Sequence, residues 1–196
     1  MPLILETIVT TLSPAGELHL VPFGLIEDGE DLILAPFRPS PTILNLDASP
    51  VFAASAPRDV RVIAGCVTGR RDWPVVPCAK IRGMRLAECF AHAEFEVVSV
   101  EDDATRPRYR GRAVHRESHA PFLGFNRAQS AVLEAAILST RLHMLEPEKI
   151  LSEMRYLAIA ISKTAGPRER EAWGWIEDKV SAALGTDRIL ANPDAA

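Results

Sequence analysis

Cysteine is scarce in this chain. The three present, Cys66, Cys78 and Cys89, are widely spaced, with no Cys-x-x-Cys among them. An odd, scattered set does not make a disulfide framework, so a reducing cytoplasm is the expected location. Long apolar runs are missing too. Nothing approaches the roughly 18 residues that a membrane span needs, and no membrane partner is expected. The N-terminal "MPLILETIVTTL" has no basic stretch ahead of its apolar residues, and Glu6 interrupts them, so it does not read as a signal peptide. A basic surplus is also lacking. Lys and Arg number 22 against 26 Asp and Glu, a formal charge of −4, which argues against a nucleic-acid partner. The chain contains no Gly-x-Ser-x-Gly, no Gly-x-x-x-x-Gly-Lys-Ser/Thr and no dinucleotide fingerprint. Nucleophile-elbow, P-loop and Rossmann sites therefore have no support.

What is present is a chain of 196 residues, 47% hydrophobic and 24% charged, long enough to bury a core without metals or disulfides. Its first half reads as strands. "LILETIVTTL", "ELHLVPFGLI" and "DLILAPF" are apolar runs separated by "SPAGE" and "EDGED", the pattern of a β-meander. "SPVFAAS" suits a short buried strand, and "PRDVRVIAGCVTG" a helix starting at Pro57 with Gly69 beyond its end. "RRDWPVVP" reads as a loop. Residues 85–100 favour one long strand, with "RYRGRAVHRES" as its antiparallel partner. That ribbon carries Arg108, Arg110, Arg112 and, after a switch at Val114, Arg116, a face best read as solvated. Three helices close the chain: 126–145 with Asn126 as N-cap, one opened by Pro147 and ended by Gly166, and one opened by Pro167 and ended by Gly185. Strands first and helices last describe an α+β fold.

The most informative stretch is "LAPFRPSPTILNL", from Leu34 to Leu46. Proline cannot donate to a sheet ladder, so a central strand ends by Pro39. Ser40 then suits an N-cap and Pro41 the first helical position. The start of such a turn offers backbone N–H groups and partial positive charge. Arg38, Ser40 and Thr42 around it would make a phosphate cradle of one cation and two hydroxyls. Simple capping plus a surface salt bridge explains the same residues equally well. "GFNRAQ" repeats the theme: Arg127 opposes the macrodipole at its own helix start, which suits either an anion or plain solvent exposure.

Metal chemistry has weaker support. "HRESH" spaces His115 and His119 for a metal only if helical, and Arg116 stands where a zinc protease needs glutamate. The segment reads as strand and loop, which would point the two imidazoles differently. His92 and Cys89 read as core residues. No metal site is expected. A hydrolase using His115 and His119 would require stoichiometric zinc.

"ETIVTT", "PFG", "PRDVRVIAGCVTG", "GFNRAQSAVLEAAILSTRL" and "KTAGPREREAW" occur in order from Glu6 to Trp173. Together they resemble the FMN-binding split-barrel superfamily that includes the flavin reductases, and within it the family called domain of unknown function 447. The resemblance implies a split β-barrel of about six antiparallel strands at 1–125 and a helical subdomain of about three helices packed on it at 126–185, while the residues of the tail at 186–196 read as flexible. It implies a homodimer with FMN near the interface, a flavin-dependent oxidoreductase, and a nicotinamide electron donor. Thr10 and Thr11 would lie at the flavin edge. Pro22, Phe23 and Gly24 would sit where backbone approaches the ring. Arg38, Ser40 and Thr42, with Asn45 nearby, would hold the phosphate, and Asn126 and Arg127 would close the site. No catalytic acid or base is identified, and a flavin takes hydride without one. The alternative is a non-catalytic split barrel that binds FMN or another phosphorylated ligand.

Overall fold

The computed structural model describes residues 2–187; most of the tail expected at 186–196 lies outside them. The chain forms two compact units. One comprises the residues up to Arg58 together with Asp72–Phe122, and the other takes Asp59–Arg71 and the chain from Leu123 onward. Among the described residues, no helix is long and apolar enough to cross a membrane.

The first unit is a closed antiparallel barrel of six strands. Along the chain its elements are β1 (Ile4–Leu12), β2 (Leu18–Asp28), β3 (Asp31–Leu34), the helix α1 (Pro41–Ala48) and β4 (Val51–Pro57). After the excursion into the second unit come β5 (Val75–Pro77), β6 (Met84–Leu86), β7 (Cys89–Glu101) and β8 (Arg108–Ser118). The barrel order is β1-β2-β3-β8-β7-β4, and β5 and β6 form a separate two-stranded sheet. The meander expected from the first three apolar runs is therefore present. Pro22 is tolerated inside β2 because that strand meets β3 only over Ile26–Asp28, so the proline has a single neighbouring strand.

The barrel interior is filled by Val9, Leu25, Leu34, Phe52, Phe95 and Tyr109, with Ile43 and Leu46 of α1 in the same cluster. Phe52 and Phe95 face each other across β4 and β7 and stack at 4.7 Å. Gly111 makes room for that pair: a Cβ there would lie 2.7 Å from Phe52 Cζ. Tyr109 donates from its hydroxyl to Asp47 at 2.9 Å, tying the end of α1 to β8. Burial and that acceptor push the phenol up to about 12, so the donor is retained at every working pH.

The arginine-bearing face of β8 is exposed and paired. Arg110 meets Asp28 and Asp31, Arg112 meets Asp31, and Arg108 meets Glu101. The switch of face at Val114 is a β-bulge, where the register steps from Ala113 to His115.

Several sequence expectations need correction. "PVVP" is not loop: Val75–Pro77 pairs with Met84–Leu86, extended by Cys78 N donating to Gly83 O and Ala87 N to Pro74 O. A run of two valines between prolines is too short for alternation to reveal it. Residues 85–100 are two strands rather than one, broken at Ala87 and Glu88. The helix expected from Pro57 begins at Arg61 instead, because Pro57 still pairs with Cys89 in β4.

The second unit is helical: α2 (Arg61–Val67), α3 (Arg127–Ser139), α4 (Pro147–Thr164) and α5 (Pro167–Leu184). Its core includes Val62, Val132, Ala135, Ile150, Met154, Ile161, Trp173, Ile176 and Val180. Pro147 and Pro167 open their helices as expected, and Gly185 ends α5 at a φ of 65°. α3 stops short of the expected Leu145. The hydroxyls of Ser139 and Thr140 donate to the carbonyls three residues back, at 2.8 and 2.7 Å, and compete with continuation of the helix. Asp59 is buried and accepts from Arg61, whose guanidinium also reaches Glu171 at 2.7 Å; Arg168 approaches Asp59 from α5. Lys179 donates from Nζ to Val67 O at 2.8 Å, and burial lowers its pKa.

Candidate functional site

The turn from β3 into α1 is built as the prolines dictate. Ser40 is extended, and its Oγ accepts from Thr42 N at 3.2 Å. Ser40 O accepts from Ile43 N and Leu44 N. Pro41 has no N–H. The amides of this first turn are thus already partnered, which is the capping reading. Arg38 is pinned to the β7–β8 turn: its N donates to Thr105 O, its Nε to Asp103 O at 3.1 Å, and its Nη2 to Asp102 Oδ1 at 2.8 Å. The Asp103 carboxylate accepts from Arg106 N and Thr105 N, which draw its pKa down. Arg106 reciprocates by donating from Nε to Ala35 O and lying over the Phe37 ring.

One polar atom at this corner stays unmatched. Thr42 Oγ1 is fully buried and has no hydrogen-bond partner. A buried hydroxyl without an acceptor is costly, so this one calls for an explanation. The Ser40 hydroxyl also keeps its own hydrogen after accepting from Thr42. One guanidinium and two hydroxyls are the donor types a phosphate monoester takes, so the residue types at this turn fit such a group, with Thr42 fully buried and Arg38 already meeting Asp102.

Thr10 and Thr11 point to opposite sides of β1. Thr11 shares the inner face with Val9, and its Oγ1 accepts from Asn45 Nδ2 at 2.9 Å, both residues being buried. Thr10 faces outward and donates to Met84 O of β6 and toward Ala53 O. Phe23 is half-buried against the core cluster. Gly24 faces the other way; a Cβ there would meet Ile4 Cγ2 at 2.7 Å and Glu6 Oε1 at 3.2 Å. Of the expected site residues, the barrel unit brings Arg38, Ser40 and Thr42 together at one turn. Thr11 and Asn45 meet on the inner side of α1.

Asn126 and Arg127 belong to the helical unit. Asn126 caps α3, accepting from Ala128 N and Gln129 N and donating to Thr164 O. Arg127 is exposed at the first position of that helix.

Strand chemistry missed by sequence reasoning lies on the outer face of β7 and β8. Glu94 is fully buried, yet its carboxylate accepts from the amides of Ala79, Lys80 and Ile81 at 2.6, 2.7 and 3.0 Å. Burial alone would raise its pKa; these amides and His92 outweigh that and bring it down to about 2. His92 sits with Nε2 3.1 Å from Glu94 Oε1 and Nδ1 2.9 Å from His119 Nε2. Burial lowers the His92 pKa. The expectation that a strand would separate His115 from His119 is overturned. Positions i, i+2 and i+4 of a strand share a face, so alternation across "HAE" and "HRESH" was the signal that would have grouped them. Burial also pushes the thiols of Cys66 and Cys78 up to about 11 and 12 and raises that of Cys89, so these three stay thiols near neutral pH.

Comparison with known proteins gives a consistent picture. Over 91% of this chain and 96% of the other, the fold matches an FMN-bound protein from Methanosarcina mazei assigned to DUF447, at 21% identity and a TM-score of 0.76. Two further structures match more partially. A 2-nitrobenzoate 2-nitroreductase from Pseudomonas fluorescens matches at 16% identity and TM-score 0.52, over 61% of this chain and 66% of that one. A flavoredoxin from Methanosarcina acetivorans matches at 15% and 0.51, over 63% and 72%. No curated protein matches in sequence. The profile for the DUF447 N-terminal domain, from a protein of unknown function, covers residues 5–120, and that for the C-terminal part covers 126–178. The chain therefore belongs to the DUF447 family.

Proposed function

We propose that this protein is an FMN-binding flavoprotein. The observation that carries the proposal is the fold match along nearly the whole chain to an FMN-bound member of the same family. The unmatched Thr42 hydroxyl, two residues past the Ser40 cap on the turn that carries Arg38, supports it. Arg38, Ser40 and Thr42 would hold the phosphate, and the Thr11–Asn45 pair would fix α1 behind them. Bound FMN supplies hydride and electron transfer, so the chain itself needs no acid or base. On the same reading the protein acts as a homodimer with flavin near the interface and takes electrons from a nicotinamide donor.

The purified protein is expected to be yellow, with a visible spectrum that bleaches with dithionite. A colourless protein that gains no thermal stability from added FMN would overturn the proposal. Consumption of NADH or NADPH by the flavin-loaded protein separates an oxidoreductase from a passive flavin carrier.

A further inference from the structure

We propose that His92, Glu117 and His119 form a binding site for a divalent transition metal of the zinc class, with Glu94 fixing the tautomer of His92. This site shares no residue with the flavin reading.

Antiparallel pairing sets the geometry. His92 lies directly opposite Glu117, and Glu94 opposite His115, so all four side chains occupy one outer face of the β7–β8 ribbon. His119 follows on the same face, its amide bonded to Phe90 O. One ligand atom each from His92, Glu117 and His119 falls within 4.8 Å of the others. A tetrahedral ion with bonds of about 2.0–2.2 Å asks for ligand atoms about 3.3–3.6 Å apart, a small adjustment from this arrangement.

Proton placement points the same way. Both oxygens of Glu94 accept from backbone N–H groups, so the carboxylate meets His92 as an acceptor. His92 Nε2 faces that acceptor at 3.1 Å, the place for its N–H, which leaves Nδ1 turned toward His119 at 2.9 Å. A carboxylate behind a histidine, turning its other nitrogen outward, is the arrangement that orients metal-bound imidazoles. Glu94 itself is not a ligand, because its oxygens are filled. His115 Nε2 is buried without a hydrogen bond and lies 3.5 Å from Glu117 Oε2, where it can steady that carboxylate. Two imidazoles and a carboxylate suit zinc and its neighbours rather than magnesium or calcium. A plain hydrogen-bonded chain, His119 to His92 to Glu94, would satisfy the imidazoles but gives Glu117 no role.

The test is titration of chelator-treated, full-length protein with Co²⁺, read by its visible ligand-field bands, and with Zn²⁺ by calorimetry. One ion per chain is expected, with His119→Ala and Glu117→Gln each abolishing stoichiometric uptake. Glu94→Gln should weaken affinity about 10- to 100-fold. His143→Gln, an exposed histidine in the helical unit, should bind as the parent does. Glu117 is half-exposed, so its variant remains informative even where His119→Ala fails to fold. Absence of saturable uptake, or uptake by Glu117→Gln equal to the parent, overturns the proposal.

Discussion

Asn45 on α1 donates to the hydroxyl of Thr11 on β1 at 2.9 Å, inside a barrel whose other inner residues are largely apolar. The bond joins the helix that follows the proline-rich turn to the first strand. It is the nearest thing to a fixed reference between the two groups of expected flavin residues.

Thr11→Val removes that acceptor while keeping the shape. It leaves Asn45 Nδ2 buried without its partner, so the protein should lose about 1–3 kcal/mol of stability in urea unfolding. A loss well below that range would mean that water reaches Asn45.

Arg38→Ala should weaken FMN binding by more than about 1.5 kcal/mol, the scale of a charge-assisted hydrogen bond. Flavin fluorescence quenching measures it. Folding should change little, since Arg38 and its partner Asp102 are substantially exposed. Equal affinity in the variant would place the phosphate elsewhere.

Gly111→Ala puts a methyl 2.7 Å from the Phe52 ring, which is itself stacked on Phe95. Overpacking at this point should cost about 1–3 kcal/mol. A thermal scan alongside Phe52→Leu tests the cause, because the smaller side chain should relieve the alanine variant.

Acid should unfold the protein partly through Glu94. Its carboxyl is brought from the ordinary 4.5 down to about 2, so the folded state binds the proton less readily than the unfolded chain. That stability is complete above about pH 4.5 and is lost as pH falls toward 2. Circular dichroism through that window should show a steeper loss for the parent than for Glu94→Gln, which has no proton to take up there.

Much of this architecture was legible in the sequence, and the exceptions have physical causes. Pro41, Pro147 and Pro167 marked helix starts because a missing N–H is harmless at the first turn. The Ser40 cap followed from the same logic. Thr10 was harder to read. Neighbouring threonines look equivalent on paper, yet strand alternation sends one inward to Asn45 and the other outward to Met84. Apolar period carried the α3 expectation past Ser139, whereas two hydroxyls bonding back to the helix ended it. The His92 cluster depends on pairing between segments more than twenty residues apart, which no local pattern contains. Each strand's own alternation nonetheless held half of it.

The β5–β6 hairpin is fastened to the barrel largely by barrel side chains gripping its main chain: Thr10 on Met84 O, Ser55 on Leu86 N, and Glu94 on the amides of Ala79 to Ile81. Such an attachment reads the hairpin's path and ignores its lettering. Over evolutionary time, residues 79–81 are free to drift in identity so long as each keeps its amide, whereas Thr10, Ser55 and Glu94 are not. Saturation mutagenesis should find tolerance concentrated on the covering loop and intolerance on the three barrel positions beneath it.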